Sequence, residues 1–151
     1  MAENAEKNTG SIQINAQYVK DLSFEAPALP MILSEMKGAP NISVNIDVKA
    51  NKGAEKIYTV DLSIKTQAVK PDDQKTVFIC ELVYGGLVTL DVPAEHVEPI
   101  LLVEIPHLLF PYARAIIANT TREAGLPPLQ INPVDFAALY RQRIAEQKPQ
   151  A

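Results

Sequence analysis

Four consecutive stretches of this chain alternate apolar and polar side chains with a period of two, and no helical pattern separates them. "NISVNIDVKA" sets Ile42, Val44, Ile46 and Val48 against Ser43, Asn45 and Asp47. Side chains on a strand point alternately to the two faces of a sheet, so this pattern is a strand with one buried and one wet face. "SIQINAQYV" places Ile12, Ile14, Ala16 and Tyr18 on one side, opposite Gln13, Asn15 and Gln17. "KIYTVDLSIKTQAV" places Tyr58, Val60, Leu62 and Ile64 against Ile57, Thr59, Asp61, Ser63 and Lys65. The fourth stretch, "TVFICELVY", is apolar on both sides: Phe78, Cys80, Leu82 and Tyr84 on one, Val77, Ile79, Glu81 and Val83 on the other. Four strands in succession predict an antiparallel meander.

The connections refine this. Segments 50–56 and 69–75 are short and polar, as hairpin loops are. Segment 26–40 is long, holds three prolines, and carries Leu29, Met31, Ile32, Leu33 and Met36. A loop tip is not this apolar, so the segment packs over the sheet as a crossover or lines a binding surface. Gly85-Gly86 reads as a bulge within a strand that continues through "LVTLDV", or else as a turn.

Beyond residue 93 the period lengthens. Pro99 opens a short helical turn ended by Pro106, and Pro111 opens a helix with Gly125 as its C-terminal cap. Asn132 is the expected N-cap of a last helix, with Pro133 at its first position and Phe136, Leu139, Tyr140 and Ile144 on one face. The fold class is therefore α+β, a four-stranded antiparallel sheet followed by two main α-helices. The domain spans 11–145, between flexible tails at 1–10 and 146–151.

Composition narrows the function. In 151 residues, 47% hydrophobic, a single domain can bury a core. A net charge of −4 argues against nucleic acid and anionic membranes as partners. A single cysteine points to a reducing compartment. No long uninterrupted apolar run approaches the ~20 residues that span a bilayer, so a cytoplasmic location without membrane insertion is expected. No catalytic motif is present, and no metal or cofactor is expected. His96 and His107 lack metal-ligand spacing and read as surface residues. Cys80 alternates with Phe78 and Leu82 and reads as a buried apolar residue rather than a nucleophile. Asp72-Asp73 reads as a solvated turn. The surplus of apolar strand surface is the remaining clue, and self-association is its economical use.

Four segments together resemble the SecB family of bacterial protein-export chaperones: "YVKDLSFEAP", "FICELVYGG", "LLFPYAR" and "PPLQINPVDFAALY". They follow family order and spacing across most of the chain. The resemblance implies a homotetramer assembled as a dimer of dimers, with no enzymatic activity. It implies an ATP-independent holdase for unfolded precursor polypeptides, which are delivered to the SecA ATPase. Carried over by position, Asp21, Glu25, Ile79 and Glu81 would form the SecA-binding patch. Cys80, Leu82 and Tyr84 match positions linked to the oligomer interface. Candidates for client binding are Leu29, Met31, Ile32, Leu33, Met36, Ile42, Val44, Ile46, Phe78 and Tyr112. The C-terminal segment "AEQKPQA" lacks the acidic character often seen in relatives. An alternative within the fold is a chaperone dedicated to one client, such as a toxin–antitoxin pair; "DLSFEAP" together with "CEL" argues against it. A third reading, a small-molecule-binding or enzymatic α+β domain, has no motif to supply convergent polar groups.

Overall fold

The computed structural model describes residues 10–147. Apart from Gly10, Glu146 and Gln147, the two expected tails lie outside the described residues. The strands are β1 (Ser11–Glu25), β2 (Asn41–Lys52), β3 (Ile57–Val69) and β4 (Thr76–Asp91). All pairings are antiparallel, and the order across the sheet is β1-β4-β3-β2. The simple meander holds only for β2, β3 and β4. β1 lies beside β4, and the crossover carries the chain from one sheet edge to the other, a Greek-key connection. The crossover's apolar content explains this. It holds one turn of helix, α1 (Ile32–Glu35), and Ile32 is fully buried in the core.

Gly85-Gly86 is neither a turn nor a bulge in β4. The β3–β4 register runs through both glycines without a shift. The bulges are in β1, at Asn15 and at Lys20, on either side of the residues that face the glycine pair. The glycines instead allow close approach on both faces. A Cβ on Gly86 would meet the Leu109 side chain at 3.3 Å, and one on Gly85 would clash with the Tyr18 ring. Gly86 thus marks a helix-covered face and Gly85 an open face. The bulge at Asn15 also divides the expected apolar face of β1. Ile12 and Ile14 lie opposite Leu90 and Val88 on the covered face, whereas Ala16 and Tyr18 lie opposite Leu87 and Gly85 on the open one.

The core fills the covered face. Val60, Leu62, Ile64 and Ala68 of β3, with Phe78, Cys80, Leu82 and Val88 of β4, are nearly or fully buried there. Above them runs a continuous helical stretch, α2 (Ala94–Pro99), a π-helical turn (Ile100–Glu104) and α3 (Ile105–Glu123). The two helices expected to be separated by Pro106 are therefore one. The wide turn accommodates Pro106. Ile105 N–H reaches back five residues to the Ile100 carbonyl, and Pro106, which has no N–H to offer, follows where the ladder is already offset. Pro111 sits inside α3 with its ring exposed. This stretch is long and apolar enough by length and composition to cross a bilayer, yet half of its most apolar 18-residue window is buried inside the protein.

α3 ends as expected. Gly125 has φ +83°, its N–H bonds the Arg122 carbonyl, and Leu126 N–H bonds that of Thr121. These two bonds satisfy carbonyls that a helix end leaves free. α4 (Phe136–Gln147) starts later than the Asn132 cap predicts. Asp135 is the cap, its Oδ1 accepting from Ala138 N–H at 3.0 Å. Phe136 anchors α4 edge-on against Phe110 of α3, and the helix continues through residues 146 and 147.

Candidate functional site

The two faces of the sheet have opposite characters. On the open face, β1 resumes after its second bulge with Asp21 opposite Val83, Ser23 opposite Glu81, and Glu25 opposite Ile79. Residues directly opposite in an antiparallel pair share a face. Asp21, Glu25, Ile79 and Glu81 therefore meet on one surface, with both β1 acids exposed and Ile79 and Glu81 half-buried. On its other side Glu81 faces Lys65 of β3. Next to this patch is a shallow groove lined by Lys20, Asp21, Asn45, Asp47, Lys49, Asp61, Ser63 and Lys65, among others. Its lysines and acids alternate, so it carries no field of one sign. Lys20 is the inserted residue of the bulge, and its ammonium lies 2.7 Å from Asp61 Oδ2. The hydrogen bond and charge of Asp61 raise the Lys20 pKa above its ordinary value.

The covered face leaves apolar side chains uncovered at both edges. On the β1 side are Ile12, Val19 and Leu22, all more than two-fifths exposed. Val19 lies opposite Tyr84, whose ring stacks on Tyr112 of α3 at 6.4 Å. Leu108, one turn before Tyr112, is also exposed. On the β2 side are Ile42 and Val44, opposite Ala68 and Thr66. The crossover's exposed Met31 and Leu33 flank Ile32, and Ile32 holds their turn in the core. Further along β2, Ile46 and Val48 join Leu102 and Leu139 in a cleft of ≈ 260 Å³. Arg143 of α4 closes one end of it, donating to the Val48 carbonyl at 2.9 Å.

The crossover is also held by charge. Lys70, almost fully buried at the β3–β4 turn, lies 3.2 Å from Asp73 and 3.5 Å from Glu35 of α1. Lys75 adds a 3.3 Å contact to Glu35. Asp73 is exposed but not idle: the Lys75 backbone N–H, and then the Lys70 ammonium, hold its carboxyl below the usual range.

Two groups of expected site residues are buried within the chain. Ile32 and Phe78 are core residues, Phe78 stacking on Phe24 at 5.8 Å, so neither is part of an exposed client surface. Cys80, Leu82 and Tyr84 are likewise buried within their own chain, on the covered face of β4 beside β1. Burial, and secondly the Glu81 charge, push the Cys80 thiol pKa up, which suits a packing residue. Tyr112 belongs with the β1-side strip, apart from Met31, Leu33, Ile42 and Val44. Val19, Leu22 and Lys20 escaped the sequence reading. Their faces depend on bulges that residue types do not announce. Among the described residues no cluster of His, Cys, Asp or Glu could hold a metal ion.

A sequence profile described as "Preprotein translocase subunit SecB" matches residues 4–147. The chain belongs to the SecB family. SecB 1 of Gluconobacter oxydans is 47% identical over 148 residues, covering 92% of this chain and 86% of that protein. SecB of Granulibacter bethesdensis is 48% identical over 142 residues, covering 89% and 83%. SecB of Paramagnetospirillum magneticum is 45% identical over 150 residues, covering 99% and 96%. These relatives are described as protein-export proteins. The fold is also that of a SecB-like chaperone of Mycobacterium tuberculosis, solved with a ChAD peptide from the HigA1 antitoxin. The TM-score is 0.65 at 13% identity, covering 82% of this chain and 90% of that one. SecB-family membership makes this chain a chaperone of protein export and not an enzyme.

Proposed function

We propose that this SecB-family chain is an ATP-independent holdase. It binds unfolded secretory precursors in the cytoplasm, keeps them translocation-competent and delivers them to SecA. The observation that carries the reading is the separation of surfaces: uncovered apolar side chains flank α3 on one face, and Asp21, Glu25, Ile79 and Glu81 meet on the other. Met31 and Leu33 of the crossover, with Leu29, Met36, Ile42, Val44 and Ile46, receive client segments. Methionine and leucine repack around many sequences, which suits a binder without a motif. The acidic patch docks SecA on the open face, so a client and the motor are held at the same time. A binding titration against SecA tests the docking half: saturable binding that weakens with salt supports it, and no binding at low salt overturns it.

Assembly uses the β1 edge. β1 offers an unpaired strand edge beside the strip of Ile12, Val19, Leu22, Leu108 and Tyr112. Fully burying one such side chain is worth about 1.5–3 kcal/mol, so a few of them, even starting half-exposed, hold a dimer of dimers together. Pairing at β1 also brings the docking patches of two copies side by side. Cys80, Leu82 and Tyr84 support this interface from below. Leu22→Asp places a carboxylate in the strip and is expected to shift the tetramer to smaller species. A tetramer mass by light scattering at low micromolar concentration would contradict the assignment. The dedicated-client alternative has only a fold likeness behind it.

A further inference from the structure

One acid of the docking patch has a cation beside it. Residues directly opposite one another form rows across the open face, and one row runs Ser23, Glu81, Lys65 and Asn45 through β1, β4, β3 and β2. Side chains directly opposite in an antiparallel pair start about 5 Å apart at Cβ. The other two acids have no such neighbour: Asp21 lies opposite Val83, and Glu25 opposite Ile79. β1 is the sheet edge, so no strand of this chain pairs with it on its other side. Lys20, next to Asp21 in the chain, is committed to Asp61 at 2.7 Å.

Among the described residues neither Lys65 nor Glu81 belongs to an ion pair. Lys65 is exposed, and Asn45 beyond it is uncharged. The next acid across the sheet is Asp47, a diagonal neighbour about 8 Å away. At physiological ionic strength salt screens exposed charges beyond about 8 Å. Lys65 therefore acts on Glu81 above all. It reaches Asp21 and Glu25, two strands away at roughly 12 Å, only weakly. A basic group of a docking partner must displace Lys65 from Glu81 or sit beside it, and either costs affinity.

We propose that Lys65 tunes the docking patch: as the resident counter-ion of Glu81, it lowers the affinity of the patch for the basic groups of the motor. The inference rests on the docking role given to that patch above, and it names a residue that works against docking. SecA binding at physiological ionic strength, read as Kd and as association rate, tests it. The variants are Lys65→Met, Lys49→Met, Glu81→Gln and the double variant Lys65→Met, Glu81→Gln. Lys49 is also exposed on the open face, opposite Asp61. It lies roughly 17 Å from Glu81, so its loss removes the same charge beyond the screening distance.

Lys65→Met is expected to bind SecA about threefold more tightly, with the gain in the association rate. Lys49→Met leaves binding unchanged. In the Glu81→Gln background Lys65→Met brings no gain, because the carboxylate it neutralised is gone. Unchanged or weaker binding in Lys65→Met, an equal gain in Lys49→Met, or a gain that survives Glu81→Gln overturns the proposal. Glu81→Gln alone judges the patch. If it weakens SecA binding while Lys65→Met tightens nothing, the docking role stands and the tuning role fails. If it leaves SecA binding unchanged, the docking role fails, and the tuning role with it.

Discussion

Leu109→Ala lowers the free energy of unfolding by about 2–5 kcal/mol. Leu109 is fully buried on α3, and its side chain lies directly over Gly86, whose missing Cβ leaves room for it. Truncation removes the transfer energy of the buried methyl groups and leaves a cavity. Neither strand can close that cavity, because the β3–β4 ladder is continuous there. Total stabilities of about 5–15 kcal/mol make this a large fraction. Urea denaturation of variant and wild type, at one protomer concentration because assembly contributes to stability, measures it. A loss below about 1 kcal/mol would mean that α3 is not seated on the sheet at Gly86.

Glu81→Lys is expected to weaken SecA binding by at least about tenfold, or ~1.4 kcal/mol. The substitution does more than delete one acid. Glu81 sits between Ser23 and Lys65, so the new ammonium faces an existing one across the β3–β4 pair. It also faces any basic group that Asp21 and Glu25 attract. The position is half-buried on the open face, and the side chain can extend to solvent without disturbing Cys80 and Leu82 beneath it. The oligomer and client holding are therefore expected to persist. A change of less than about twofold in a SecA titration would remove Glu81 from the docking surface.

Much of this was legible in the alternation of side chains. The strands and the polar and apolar faces of β2 and β3 follow from period two. The shared face of Asp21, Ser23 and Glu25 does as well, because parity within an unbroken stretch is local. The strand order was not legible. It is set by where the crossover lands, and that depends on Ile32 finding the core and on Glu35 finding Lys70 and Lys75. The bulges at Asn15 and Lys20 were equally hidden. An inserted residue is defined by its neighbour strand, not by its own type. Pro106 misled because it follows a π-turn that has already offset the ladder, and Pro111 because it sits inside α3 rather than at a helix start. Client and interface residues were sorted only in part. Alternation says which side chains share a face, but not which part of that face α3 covers. That is why Ile32, Phe78, Cys80, Leu82 and Tyr84 prove to be core, while Val19 and Leu22 prove to be surface.

The uncovered apolar edges are expected to hold unfolded chains without an energy source. A chemically unfolded secretory precursor, diluted into buffer with a stoichiometric amount of this protein and no nucleotide, tests it directly. Light scattering from the precursor should stay near baseline with wild-type protein. It should rise with a Met31→Asp, Val44→Asp double variant that keeps its fold. Aggregation at the rate seen without the protein would contradict the account.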